Sequence, residues 1–288
     1  MYGVVTRNPE ETEWPEFERA FYEVKDVSGR ASDPLEGATN MVSCFGDNAA
    51  AEEQPDLVPV DADGRPATRD RTYFDWAYIC PTHEGYREGL LAIIDDCVEV
   101  NPNLRLDDVG FPRPEFCYCN RCNRLFETWA EDRHASGNGP PPTETNLEDR
   151  YEWRASVITS FLEEATDRIP GRTSMTLYPD PYGEHLYERS GIDLEAIEPL
   201  VDEFVIPLYD TVYGTTYWLE IIASGFVDRL ETPIGIELYA VDVDVDDLIH
   251  AVEVAEAYAD SVMFGYDASN ARAVIRRMDA EQSEGVEW

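Results

Sequence analysis

The chain has 288 residues, and 60 acidic against 22 basic residues give it a formal net charge of −38. That balance excludes a phosphate-binding nucleic-acid surface, which needs clustered Lys and Arg, and no run approaches the roughly 18 apolar residues of a membrane span. The acids spread through every segment and Lys25 is the only lysine, as expected of a surface kept soluble in molar salt, where screening acts within roughly 3 Å. An extreme halophile with a salt-filled, haloarchaeon-like cytoplasm is the expected source. No basic region followed by an apolar stretch opens the sequence, so a cytoplasmic, reduced protein is expected. Six cysteines in so long a chain do not make a disulfide scaffold.

Short β-rich apolar runs alternate with helical patterns along the chain. The first run is Tyr2 to Val5, followed by a helical stretch around Trp14 to Val24. The second is Met41 to Phe45, closed by Gly46-Asp47-Asn48. A long polar loop from Ala49 to Thr72 follows, turning at Asp63-Gly64-Arg65-Pro66. The third run, Trp76 to Ile79, ends at Cys80-Pro81, and the helix over 84–99 places Leu90, Leu91, Ile94, Cys97 and Val98 on one face. The fourth run, Leu104-Arg105-Leu106, ends on two adjacent carboxylates, Asp107 and Asp108. A helix through Leu125, Phe126 and Trp129 and a loop with Pro140-Pro141-Pro142 lead to an amphipathic helix from Glu148 to Arg168.

Four more strands are predicted at Ser174–Tyr178, Glu203–Leu208, Ile234–Tyr239 and Ser261–Tyr266. Helices near Asp193–Leu200, Tyr217–Leu230 and Val245–Ala259 separate them, and Asn270–Met278 closes the chain. Eight strands alternating with helices predict an α/β fold, a (β/α)8 TIM barrel forming a single domain over residues 1–288; roughly 250 residues is typical of that fold. A doubly wound sheet usually carries a Gly-rich first turn, and Val4-Val5-Thr6-Arg7-Asn8 has none.

In a TIM barrel the chemistry gathers at the C-terminal strand ends. Those ends hold Asp47, His83, Asp107 and Asp108, then Tyr178 and Asp180, Tyr209 and Asp210, Glu237 and Tyr239, and Tyr266 and Asp267. Carboxylates and tyrosines dominate, without a nucleophilic Ser or Cys. Two carboxylates facing each other across an aromatic pocket are what glycoside hydrolysis needs: one protonates the leaving oxygen, the other attacks or activates water. Glu237 lies inside the apolar run Ile234-Gly235-Ile236-Glu237-Leu238-Tyr239, where a carboxylate is either buried with a partner or functional. Asp108 and Glu237 are the predicted catalytic pair. Asp107, His83, Tyr178, Asp180, Tyr209, Asp210, Tyr239 and Asp267 are the predicted contacts to a carbohydrate substrate or ligand, and Trp76 or Trp218 are candidate stacking platforms. A barrel that binds carbohydrate or peptidic ligands without catalysis is the rival from another class. The sequence sets no oligomeric state.

Three cysteines crowd into six residues: Cys117, Cys119 and Cys122. That spacing favours a metal over bridges, and a structural zinc takes four soft ligands in a closed site. Cys80 is the best candidate for the fourth, with Cys44 and His83 as fallbacks; Cys97, on a buried helix face, reads as a small core residue.

Gly64-Arg65-Pro66, Tyr78-Ile79-Cys80-Pro81-Thr82 with Tyr86-Arg87-Glu88, Asp107-Asp108 and Cys117-Tyr118-Cys119-x-x-Cys122 leading into Phe126 and Trp129 together resemble the family-42 glycoside hydrolases. Those are β-galactosidases of a retaining clan built on the (β/α)8 barrel. The resemblance, specific over roughly residues 57 to 130, implies a zinc held by Cys80, Cys117, Cys119 and Cys122. It also implies an acid/base at the Asp107-Asp108 pair and a nucleophile at Glu237. The chain departs from the family in carrying Asp where the strand-four acid is Glu, which shortens its reach by one methylene, and a divergent, barrel-only relative is expected.

Overall fold

The computed structural model describes residues 1–209 and 216–284. Nine strands are present among them: β1 (Tyr2–Thr6), β2 (Arg19–Asp26), β3 (Gly29–Arg30), β4 (Thr39–Ser43), β5 (Leu104–Asp107), β6 (Thr173–Thr176), β7 (Glu203–Leu208), β8 (Ile234–Tyr239) and β9 (Ser261–Gly265). All but β3 run parallel in chain order, and β1 pairs with both β2 and β9, so eight strands close into a barrel. The two-residue β3 is an antiparallel arm on β2. The helices are α1 (Asn48–Glu53), α2 (Glu84–Val100), α3 (Asn120–Ala135), α4 (Leu147–Thr166), α5 (Gly183–Ser190), α6 (Leu194–Ile197), α7 (Thr216–Val227), α8 (Val245–Glu256) and α9 (Ala268–Glu284). No helix among the described residues is long and apolar enough to cross a membrane. The protein is a (β/α)8 TIM barrel.

Two elements differ from the sequence reading. Trp14, Phe17, Phe21 and Val24 fall at helical spacing, yet the chain from Arg19 is strand β2, the second of the barrel. Its side chains alternate: Ala20, Tyr22 and Val24 pack outward into the main core, while Phe21 joins Val5, Met41, Val205 and Met263 inside the barrel. A parallel strand buried on both faces hides its period of two behind apolar residues on each side. Conversely, the run Trp76 to Ile79 is no barrel strand. Tyr78 makes only an isolated bridge to Gly46, and Phe74, Ala77 and Ile79 pack with Leu57, Val58 and Phe116 in a satellite cluster over the barrel mouth. One strand gained and one lost leave Leu104–Asp107 fourth and Ile234–Tyr239 seventh.

The helices start where the sequence supplies caps. Asn146 and Asp149 form a reciprocal capping box on α4, and Asp244 caps α8. Along these helices, Ile158, Phe161, Leu162 and Ala165 of α4 and Leu248, Val252 and Ala255 of α8 are buried in the main core.

The barrel interior carries charge as well as hydrocarbon. At its base Arg19 Nη1 lies 2.8 Å from Glu203 Oε1, and the Ser174 and Ser261 hydroxyls each donate to the same carboxylate at 2.9 Å. The Phe21 ring lies between two guanidiniums, Arg19 at 4.5 Å and Arg105 at 4.9 Å from its centroid. Above, Arg105 Nη2 lies 2.5 Å from Glu237 Oε2, both side chains fully buried. A column Glu203–Arg19–Phe21–Arg105–Glu237 thus fills the axis, and small residues make room for it: a Cβ on Gly265 would lie 3.0 Å from Glu237 Oε1.

Candidate active site

A cavity of about 590 Å³ opens at the C-terminal ends of the strands. Asp107 and Asp108, at the end of β5, stand in its wall. Their carbonyls accept from Cys44 N at 2.7 Å and Phe45 N at 3.1 Å, which carries the strand pairing two residues past the ladder. Asp108 has φ of +49°, and Tyr266, also in the cavity, has φ of +72°. Left-handed backbone at side chains other than glycine costs on the order of 1 kcal/mol or more, and it concentrates where surroundings over-determine a conformation. The Ser43 hydroxyl donates to Asp108 Oδ2 at 2.5 Å, and Asp108 N donates to Asp107 Oδ1 at 2.9 Å. Burial, then the neighbouring Asp107 charge, push the Asp108 carboxyl up to about 7, against the Ser43 hydrogen bond and Lys25.

Lys25 sits behind this wall, 2% exposed, donating to the carbonyls of Ser43 (2.7 Å) and Gly46 (3.0 Å) and lying 3.2 Å from Asp47 Oδ2. Asp47 also accepts from Tyr86 and caps α1, so this strand-end acid is committed to structure.

Glu237 lies beneath the cavity floor. It is fully buried and absent from the lining, with Tyr209 donating its hydroxyl to Oε1 and Arg105 at Oε2. The Arg105 contact is one of charge rather than an aligned hydrogen bond, since neither Arg105 Nη2 nor Glu237 Oε2 has a hydrogen-bond partner among the described residues. Burial alone would lower the Arg105 guanidinium, but Glu237 and then Asp107 hold it above its ordinary value.

The remaining predicted contacts divide. Tyr178, Tyr209 and Tyr239 line the cavity with Asp107, and Trp76 lines it with an indole N–H that is buried without an acceptor. Three predicted contacts lie outside the lining. Asp180 is engaged by Tyr182 N and by His185 Nδ1 at 2.9 Å. Asp267 accepts from Asn270 N at the start of α9. His83 precedes α2 on the side of the cysteine cluster, with Nδ1 buried and unpartnered. Asp210 lies outside the described residues, and Trp218, on α7, is half exposed and not in the lining.

Sequence reasoning missed Glu23, Asp26, Arg7, Arg113 and Arg189, all of which line the cavity. Glu23 shares the inward phase of Phe21 on β2, so the misread strand hid it. It is 4% exposed, ion-paired with Arg7, and accepts from the Tyr266 hydroxyl at 3.0 Å. Burial pushes Glu23 up to about 7, opposed by Arg7 and by the Tyr266 hydrogen bond. Arg7 also reaches Asp26, at 3.2 Å.

Beside the cavity, Cys80, Cys119 and Cys122 bring their sulfurs within 4.8 Å of one another. Cys80 Sγ lies 3.3 Å from Cys122 Sγ and 4.0 Å from Cys117 Sγ. Sulfurs bound at about 2.3 Å around a tetrahedral ion stand about 3.8 Å apart, so these spacings suit a metal ion. Cys119 caps α3 and accepts from Cys122 N at 3.4 Å, and Cys117 has φ of +70°. Hydrogen bonds from Cys117, Cys119 and Cys122 hold the Cys80 thiol well below its ordinary value. Cys44 and Cys97 stand apart in the core.

No family model matches the chain, and no curated protein matches it. Among solved structures, α-L-fucosidase isoenzyme 2 from Paenibacillus thiaminolyticus superposes with a TM-score of 0.65 at 12% identity, over 99% of this chain and 50% of that one. The chain therefore spans about half the length of that protein. An α-amylase from Lactobacillus plantarum (TM-score 0.43, 9% identity, 93% and 70% covered) and the GH53 catalytic domain of Ignisphaera aggregans (0.39, 12%, 92% and 84%) superpose too loosely to carry an argument. At 12% identity the likeness to the fucosidase shows the fold alone, the barrel already described.

Proposed function

We propose that this barrel hydrolyses glycosidic bonds in the cavity at its C-terminal end. The observation that carries the reading is Asp108: a carboxyl in the cavity wall, pushed up to about 7 and therefore able to hold a proton near neutral pH. The aromatic lining of Tyr78, Tyr209, Tyr239 and Tyr266 and the unpartnered indole N–H of Trp76 suit a ring with hydroxyls. The name of the α-L-fucosidase with the same fold adds support from analogy only.

In this reading Asp108 gives its proton to the departing oxygen as the glycosidic bond breaks. A second carboxylate attacks the anomeric carbon or takes a proton from the incoming water. The sequence assigns that role to Glu237. Glu23 is the better candidate because it lines the cavity; burial pushes it up to about 7 against Arg7 and the Tyr266 hydrogen bond, so it serves as the carboxylate once it has lost its proton, at and above neutral pH. Glu237 then has a positioning role, holding Tyr209 and Arg105 under the floor. A zinc on Cys80, Cys117, Cys119 and Cys122 would brace the loop that follows Asp107-Asp108 in the chain; four thiolates leave no open position, so it would not activate water. Molar salt is the proposed working medium, from the excess of acids.

A panel of aryl glycosides assayed in molar KCl tests the reading. At least one should be cleaved, Asp108→Asn and Glu23→Gln should each lower turnover by orders of magnitude, and their combined loss should fall far short of additive. A panel with no cleaved member, in a protein that still binds saccharides, replaces the enzyme with a binding barrel.

A further inference from the structure

Two arginines in the cavity wall have no acid in contact among the described residues. Arg113 follows the fourth barrel strand and Arg189 lies in the last turn of α5; both line the cavity. Neither guanidinium has a carboxylate or hydrogen-bond partner among the described residues, and Arg113 Nε is buried without an acceptor. In a chain with 60 acids to 22 bases, a partner would be easy to supply. By contrast, Arg7 and Arg105 are both taken by acids. Each free guanidinium lies instead over a tyrosine, Arg113 at 4.4 Å from the Tyr73 ring centroid and Arg189 at 4.0 Å from that of Tyr178. Stacking of this kind fixes the plane of the fork and leaves its in-plane N–H groups available.

The pair is also held in register from behind. Arg154, fully buried, donates through Nη2 to the carbonyl of Arg113 at 3.0 Å and to that of Arg189 at 2.7 Å, and through Nη1 to Glu188 O at 2.9 Å. One nitrogen bonded to both carbonyls sets the two residues side by side. Phe111 N donates to Ser190 O at 2.9 Å, and Gly110, at φ of +146°, allows the approach: a Cβ there would lie 2.9 Å from Ser190 Cβ. Burying a guanidinium without a counter-ion is costly, and here it ties the Arg113 loop to the end of α5, so that each presents an arginine with no acid in contact among the described residues.

We propose that the cavity takes an acidic saccharide, one whose ring carries a carboxylate or a sulfate, and that Arg113 and Arg189 bind its anionic group. Both anions are planar or fork-like acceptors matched to guanidinium. From the hydrolase reading the inference takes only that the ligand is a saccharide, and it is tested by binding rather than by cleavage.

The test is calorimetric titration in molar KCl with glucuronic acid, galacturonic acid and glucose 6-sulfate, each against glucose or galactose as its neutral counterpart, and with inorganic sulfate alone. At least one acid should bind about tenfold or more tighter than its counterpart, as charge-assisted bonds to a guanidinium pair allow. In Arg113→Gln/Arg189→Gln, with Arg154 intact, that preference should fall to nearly one, and in Arg113→Lys/Arg189→Lys it should fall by most of its size. The inference is overturned if no acid outbinds its neutral partner in the wild type, a comparison that needs no variant to fold. It is also overturned if the preference survives in a folded double variant, or if inorganic sulfate binds as tightly as the sugar sulfate. Cleavage of neutral aryl glycosides without any acid preference removes this inference and leaves the hydrolase standing; acid preference without cleavage does the reverse.

Discussion

Replacing Glu237 by Gln separates a buried ion pair from a reacting group. The substitution preserves size, and the amide can face Arg105 with its oxygen and donate to the Tyr209 oxygen with its nitrogen, so the loss is one of charge. Arg105 would then stay in a dry interior with Asp107 as its remaining nearby acid. Removing one partner of a buried pair costs about 3–5 kcal/mol, and the support from Asp107 argues for the lower end, about 3 kcal/mol. For 288 residues the unfolding entropy is about 600 cal/mol/K, so the melting temperature should fall by about 5 °C. Thermal melts followed by circular dichroism in about 3 M KCl measure this without interference from surface repulsion, and salt does not screen a pair excluded from solvent. Arg105→Met/Glu237→Met, which removes both charges and keeps volume, should recover most of the loss. A Glu237→Gln protein melting within about 1 °C of wild type would refute the assignment of Glu237 as the counter-charge of Arg105.

Protein purified without chelator should carry close to one equivalent of zinc, and Cys119→Ser should lose it and melt lower, because a thiolate site contributes folding free energy directly; full metal occupancy in that variant removes the site. The pH dependence has a definite sign. The Asp108 carboxyl is raised from 3.8 to about 7, so its contribution to stability is complete below about 4 and is lost as pH rises through about 7. Wild type should therefore lose stability relative to Asp108→Asn as pH rises from about 4 to about 7, and a wild type that gains stability relative to the variant over that window contradicts the raised value.

Closure of the barrel was legible because strand and helix periods alternate even where single elements are misread. The misreading of β2 had a physical cause: Phe17, Phe21 and Val24 satisfy a helical spacing while Ala20, Tyr22 and Val24 face the helices as a strand must. With that strand went Glu23, whose inward phase follows only from its period of two. Glu237 inside an apolar run was read as needing a partner or a function, and it has a partner. Leu104-Arg105-Leu106 carries the opposite charge in the same setting, and reading the two runs against each other would have paired them from sequence. The cysteine cluster was legible because Cys117, Cys119 and Cys122 are close in sequence and one turn gathers their sulfurs, where Cys80 joins them. Asp180 and Asp267, by contrast, serve turns and helix starts, the common use of acids in an acid-rich chain. Arg113 and Arg189 could not be found in advance, because their significance lies in what does not surround them.

The placement of Lys25 has a chemical consequence. It is the chain's only lysine and is almost wholly buried, its ammonium tied to two carbonyls and a carboxylate behind the Asp108 wall. Apart from the terminal amine, the folded surface offers no aliphatic amine to an acylating reagent. Acylation of the lysine side chain must await an opening that frees β2 from β4 and the Gly46 turn. The protein thus carries one natural probe of its own breathing: in the limit of fast reagent, the rate of modification at Lys25 is the rate at which that wall opens, read from the mass shift of the peptide that holds Lys25 without an engineered label.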